Sequence, residues 1–247
     1  MLAAMKIGVY VDGYNLYYGG RGICGRGTPG WRWLDVRALA QAVISSQSGW
    51  AGSFDLRVVF CTARIKSGGD PTSQHDQDTY LRALTKYGAV DLVELGTYVS
   101  RVATNPLAVQ GRKGRPVITT ADWPIKVKDS GRKDVPDATF MASVARREEK
   151  GSDVNVATDL LVDVLCGGVD SAVVISNDSD LKLPVQIARG HVPVGLVNPT
   201  KAYPAGALNA SPSVGAGGHW WYQLTAQDFT GAQLPSPVAG LTKPTGW

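Results

Sequence analysis

Ile7-Gly8-Val9-Tyr10-Val11-Asp12-Gly13 is the stretch that decides the fold. A short apolar run with β-branched residues stops at an Asp-Gly turn signal, which predicts a buried first strand. The same pattern recurs at Leu56–Cys61, Val90–Leu95, Asp170–Ser176 and Val192–Val197. Between these runs the apolar residues change to helical spacing. Leu34–Ile44 places Leu34, Ala38, Leu39 and Ala42 or Val43 on one side, and His75–Tyr87 does so with Tyr80, Leu81, Leu84 and Tyr87. Val154–Leu165 and Leu181–Ala188 read as two further helices, the second despite Pro184. Continuously apolar strands alternating with amphipathic helices predict an α/β fold. Its core is an open, mostly parallel sheet with helices on both faces. In such a sheet, functional groups collect at the carboxyl ends of the strands.

Composition agrees with a folded chain. Of 247 residues, 44% are hydrophobic and 19% charged, which excludes a disordered polymer. No apolar run reaches the roughly 20 residues of a membrane span. The N-terminal MLAAMKIGVYVDGYN shows no secretory pattern. Cys24, Cys61 and Cys166 are too dispersed for a zinc site or a disulfide framework and read as small buried residues, which fits a cytoplasmic protein. His75, His191 and His219 are equally scattered. Gly19–Gly30 reads as a mobile loop. From Asn198 the chain is rich in Pro, Gly and Ala, and residues 198–247 read as a loosely structured extension of a main domain over 5–197.

Positive charge is concentrated. Residues 101–150 hold 11 Lys/Arg against 6 Asp/Glu, while the remainder holds 14 against 15. The excess lies in an insertion at about 99–134, where Val117–Thr120 and Pro124–Lys128 suggest a β-hairpin. Arg112, Lys113, Arg115, Lys126 and Lys128 are the candidate phosphate contacts, since such side chains displace counterions from a polyanion. Lys126 and Lys128 would share one strand face. A solvated surface loop is the alternative.

Four acids fall at the expected functional edge. Asp12 ends the first strand, and Asp178 and Asp180 follow the fourth in Ser176-Asn177-Asp178-Ser179-Asp180. Asp153 opens the Val154 helix on the same side as Ala157, Leu160 and Val164, which predicts that it points over the strand ends. Asp159 and Asp163 fall on a more polar side. Clustered carboxylates repel, and a hard divalent cation such as Mg²⁺ would neutralise them. Each aspartate has a plainer reading as a turn or N-cap residue, and for Asp180 that reading is equally good. Spacing alone leaves a phosphate enzyme of another α/β family open.

Three motifs add a family resemblance. Val11-Asp12-Gly13-Tyr14-Asn15-Leu16 resembles the D-G-x-N opening of NYN domains. Lys150-Gly151-Ser152-Asp153-Val154-Asn155-Val156-Ala157-Thr158-Asp159-Leu160-Leu161 resembles their K-G-x-D-V-x-x-A-x-D-L-L helix, and Ser176–Asp180 resembles their S-x-D-S-D loop. Together they resemble the LabA-like branch of the NYN family, within the PIN-like nuclease superfamily, over roughly Met5–Val197. Leu181 departs from the aromatic often found there. The resemblance implies a Rossmann-like three-layer fold and a Mg²⁺- or Mn²⁺-dependent endoribonuclease acting on RNA, or on single-stranded DNA. It implies Asp12, Asp153 and Asp178 as metal ligands and catalytic acids, Asn15 and Asp180 as assisting groups, and Asp159 and Ser176 as outer supports. The alternative is a nucleic-acid-binding regulatory module with little or no cleavage activity.

Overall fold

The computed structural model describes residues 4–50, 52–65, 71–112, 115–119 and 126–247. The strands are β1 Met5–Asp12, β2 Phe54–Ala63, β3 Leu92–Pro106, β4 Ala108–Gln110, β5 Pro116–Ile118, β6 Met141–Lys150, β7 Ser171–Ile175, β8 Val194–Asn198 and β9 Trp220–Gln223. The helices are α1 Gly13–Cys24, α2 Val36–Ser45, α3 Pro71–Tyr87, α4 Ser152–Leu165, α5 Lys182–Arg189 and α6 Ala226–Gly231. Seven strands form one sheet in the order β6-β3-β2-β1-β7-β8-β9. β1 pairs in parallel with β2 and β7, β2 with β3, β7 with β8, and β8 with β9.

Alternation along the strands builds two cores. Ile7, Val9, Val11, Val58, Phe60, Val173 and Ile175 face one side with buried residues of α1, α2, α3 and α6. Tyr10, Val59, Cys61, Ala172, Val174 and Leu196 face the other with α4 and α5. The result is the expected three-layer α/β arrangement. β1 is central, the chain turning to β2 and β3 on one side and to β7 and β8 on the other. The strand order therefore reverses between β1 and β7, and that is where such sheets open a crevice at their carboxyl ends.

The chain divides into two compact units, Met1–Tyr98 with Glu149–Trp247, and Val99–Glu148. In the second unit, Ala108–Gln110 pairs antiparallel with Pro116–Ile118. Val117–Ile118 is thus a strand, and among the described residues its partner is the upstream Ala108–Gln110. Lys128 bridges to Asp134 instead. Thr120, Pro124 and Ile125 lie outside the described residues. Among the described residues no helix is long and apolar enough to cross a membrane.

Two expectations of looseness fail. Gly19 and Gly20 are buried inside α1, not in a loop. A Cβ on Gly20 would stand 2.7 Å from Phe229 and 3.0 Å from Trp31, so glycine here permits close packing that outweighs its poor helix propensity. The C-terminal segment is not a tail either. It supplies β9, α6 and the core residues Leu224, Phe229, Ala232, Leu234 and Val238. Cys61 is buried as expected, whereas Cys166 caps the end of α4 and is exposed.

Phe229 is 1% exposed and meets Trp31 edge-on at 6.2 Å. Phe229→Ala should therefore lower unfolding free energy by about 3–5 kcal/mol, as large core truncations do. Tyr203 is 92% exposed, and Tyr203→Ala should stay within about 0.5 kcal/mol of the parent. Urea unfolding followed by tryptophan fluorescence measures both. Equal effects would mean the C-terminal segment is not part of the core.

Candidate active site

Asp12 leaves β1 in extended conformation and caps α1. Its Oδ1 accepts from the Asn15 backbone N–H at 3.0 Å, and its Oδ2 accepts from the Ser176 hydroxyl at 2.9 Å. Ser176 follows β7, so this carboxyl ties the two strands together across the point of strand reversal. The Ser176 oxygen in turn accepts from Asp178 N–H at 3.1 Å. Asp178 Oδ1 accepts from Asp180 N–H at 3.0 Å, capping the short 3₁₀ turn Ser179–Leu181. The Asn15 side chain accepts from Asn177 N–H at 3.0 Å, and Asn177 reaches on to Ala205 N–H at 2.7 Å. Asp12, Asn15 and Asp178 thus fix the next loop as well as lining the opening.

The third edge comes from the β6–α4 junction. Gly151 adopts φ 98° and turns the chain into α4. Glu149 Oε1 accepts from Ser152 N–H at 3.0 Å and from Ser152 Oγ at 2.6 Å. Ser152, Val156, Leu160 and Val164 form the buried stripe of α4. Asp153 stands beside that stripe, half-buried, at the start of the helix. Asp12, Asp153, Asp178 and Asn15 line one cleft of 760 Å³ together with Tyr14, Tyr18, Glu149, Lys150 and Lys201.

Asp12 is 4% exposed. Burial pushes its carboxyl up to about 6, against the Asn15 and Ser176 hydrogen bonds that favour the charged form; Asp178 and Glu149 push it further up.

The remaining acids do not join the cleft. Asp180 is exposed and contributes its N–H to the Asp178 cap. Asp159 lies beside Arg57 of β2 at 3.9 Å and its carboxyl is pushed up, first by burial and then by Glu94. Asp163, expected from its polar side of the helix to be solvated or supporting, accepts from the Tyr10 hydroxyl at 2.9 Å and from Arg57 Nε at 2.7 Å. Ser176 supports Asp12 from full burial. Glu149, Lys150, Lys201, Tyr14 and Tyr18 were missed. Glu149 sits three residues before the helix start, a capping position, but it falls within the basic stretch and was counted there as charge.

Of the basic candidates, Arg112, Arg115 and Lys126 are exposed, and Lys113 lies outside the described residues. Lys128 is neutralised by Asp134 at 3.0 Å. Lys126 and Lys128 do not share a regular strand, because Lys128 occupies only an isolated bridge.

The donors facing the cleft are oxygens, the set a hard cation takes. Among the described residues, no three Asp, Glu, His or Cys side chains are grouped to hold one ion. Mg²⁺ needs only one or two protein carboxylates with water, and Asp12 and Asp178 are two cleft acids whose charges act on each other.

No family model matches the chain. It is 29% identical over 265 aligned positions, spanning 98% of its own length and 75% of the relative's, to 6-hydroxy-3-succinoylpyridine 3-monooxygenase HspA of Pseudomonas putida. This relative corrects one expectation. It is named as a monooxygenase, an oxidoreductase and not a hydrolase, so the assignment of this chain as a divalent-metal-dependent ribonuclease does not stand. Among solved structures, a protein of unknown function from Vibrio parahaemolyticus is similar at a TM-score of 0.45 and 16% identity, over 93% of this chain and 98% of that one.

The Asp12 carboxyl yields a signed prediction. Its pKa is about 6 folded against an ordinary 3.8, so between these values the native state binds more protons than the unfolded state. That contribution to stability is complete below pH 3.8 and is lost as pH rises through 6. Asn at this position stays neutral. The stability difference between Asp12→Asn and the parent should therefore shift in the variant's favour by roughly 2–3 kcal/mol between pH 3.5 and pH 7.5. Urea midpoints at the two pH values decide it, and a pH-independent difference would refute the buried charge.

Proposed function

We propose that the chain is an enzyme of the oxygenase class acting on a small hydroxylated heteroaromatic acid in the Asp12 cleft. The observation that supports this most is the similarity to a named hydroxypyridine monooxygenase along nearly the whole chain. The cleft volume of 760 Å³ suits a small molecule. The overall change inserts one atom of dioxygen into a ring C–H or C–C position. The other atom leaves as water, and a two-electron donor such as a reduced nicotinamide or flavin supplies the electrons.

Asp12 is the group suited to proton transfer. With its pKa near 6 it is a carboxylate at neutral pH yet basic enough to accept the proton of a ring hydroxyl. The resulting ring anion is electron-rich, and that prepares it for oxygen. Ser176 and Asn15 hold the carboxylate in place. Lys150 and Lys201 offer positive charge to the acid group of the substrate, and Tyr14 and Tyr18 offer ring faces.

The purified protein should consume dioxygen only when a hydroxypyridine acid and a reductant are both present, with one ¹⁸O atom entering the product. The rate should rise with pH to a plateau above about 6, and Asp12→Asn should lose that limb together with about 10²–10⁴ in kcat. No substrate-dependent uptake across a panel of hydroxypyridine acids and reductants would overturn the reading.

A second reading rests on the exposed Arg112, Arg115 and Lys126 of the Val99–Glu148 unit. It is the nucleic-acid-binding module, without cleavage, with RNA as the partner. Replacing these three residues by alanine should then reduce the log–log salt slope of RNA binding by about 0.7 per lost single-strand contact. An unchanged slope would rule this reading out.

A further inference from the structure

The cleft has a neighbour with different chemistry. Behind Tyr14 and Tyr18, which line both, lies a 340 Å³ pocket. Its walls are aromatic: Phe60 and Tyr80 come from the sheet and α3, Tyr17 from α1, and Trp247 closes one side. Tyr80 is anchored, donating its hydroxyl to Leu34 C=O at 2.8 Å and meeting Trp247 edge-on at 5.7 Å. These rings are held by packing before any ligand arrives. The volume lies in the range of small-molecule sites.

Two guanidinium groups border the pocket. Arg21 lies over the Tyr18 ring at 5.9 Å, and Arg32 over the Trp31 ring at 5.3 Å. Neither has an ion-pair partner among the described residues, and Arg32 Nε is buried without a hydrogen bond. Asp76 is the acid that shares the lining. Thr62 also lines the pocket at 4% exposure, and its hydroxyl has no hydrogen-bond partner among the described residues. A polar ligand atom would satisfy the buried Arg32 Nε and take up the Thr62 hydroxyl. Stacking surfaces, unneutralised guanidiniums and an unused hydroxyl converge on one kind of molecule.

We propose that this pocket binds a planar aromatic ring bearing an anionic group. The ring lies between the tyrosine and tryptophan faces, and the anion meets Arg21 at the rim. Such a ligand can be a small aromatic carboxylate or a nucleotide, since both present a flat ring and an anion to a forked donor. The pocket is independent of the oxygenase reading, because it rests on Arg21, Thr62 and the ring walls and on none of the cleft acids.

The test is titration calorimetry of the full chain with two matched pairs, benzoate against benzamide and adenosine monophosphate against adenosine. In at least one pair the anion should bind tenfold or more tightly than its neutral counterpart. Arg21→Ala should remove that preference, and Thr62→Val should weaken both members of the pair about equally. Unchanged circular dichroism and thermal midpoint show that each variant folds. Loss of the ligand-induced fluorescence change in Trp247→Phe places the ligand in this pocket. Tighter benzoate identifies a small acid as the source, and tighter adenosine monophosphate a nucleotide. Equal binding of anion and neutral analogue, no binding of any of the four, or a preference that survives Arg21→Ala would overturn the proposal.

Discussion

One carboxyl group holds the edge of this molecule together. Asp12 must close the first turn of α1 and receive the hydroxyl of Ser176, which is 164 residues away in sequence. These bonds favour an ionised carboxylate, while burial opposes it. The conflict is tolerable because the group sits where two strands diverge and the loops from β1, β7 and the β6–α4 junction converge. Moving Asp12 would uncap α1 and release Ser176, and through Ser176 the Asp178 turn. The chemistry available in the cleft is thus tied to the same bonds that set its shape.

This double duty bears on how motifs are interpreted. The aspartates of the D-G-x-N and S-x-D-S-D stretches cap the turns that follow them. A sequence that keeps this sheet edge has reason to keep those residues, whatever reaction it performs. Likeness at such positions follows the backbone first, and chemistry has to be argued from what else faces the opening. Here that includes Lys150, Lys201 and two tyrosines.

What the sequence revealed follows the strength of its local signals. The buried strands were legible because five apolar runs stood between helical patterns, and Asp12, Asp153 and Asp178 were legible because each follows or begins such an element. Helix α1 was not, because Gly19, Gly20 and Gly22 argue for a loop until Phe229 and Trp31 are seen packed against Gly20 and Pro199 against Gly19. The β9–α6 segment hid for a related reason: a four-residue strand in a Pro- and Gly-rich background gains its stability from β8 and the core, not from its own composition. Glu149 was invisible because its capping role depends on a left-handed glycine two residues later. The upstream partner of Val117–Ile118 was not legible, because Ala108–Gln110 is only a three-residue strand.

The central position of β1 also sets an order of events in time. This strand is synthesised before both of its neighbours, yet one of them, β7, begins at Ser171, and the helix layer over it is completed by Phe229. Contacts of such sequence separation slow folding, because the chain entropy of closing the intervening loop is lost before the contact is gained. During synthesis, the backbone edge of β1 that pairs with β7 stays open until Ser171–Ile175 have emerged. Over that interval, and until Phe229 follows, Ile7, Val9 and Val11 form an incompletely covered, sticky surface of the kind that chaperones cover. The architecture that places Asp12 at the middle of the sheet therefore makes β1 dependent for protection on segments made long after it.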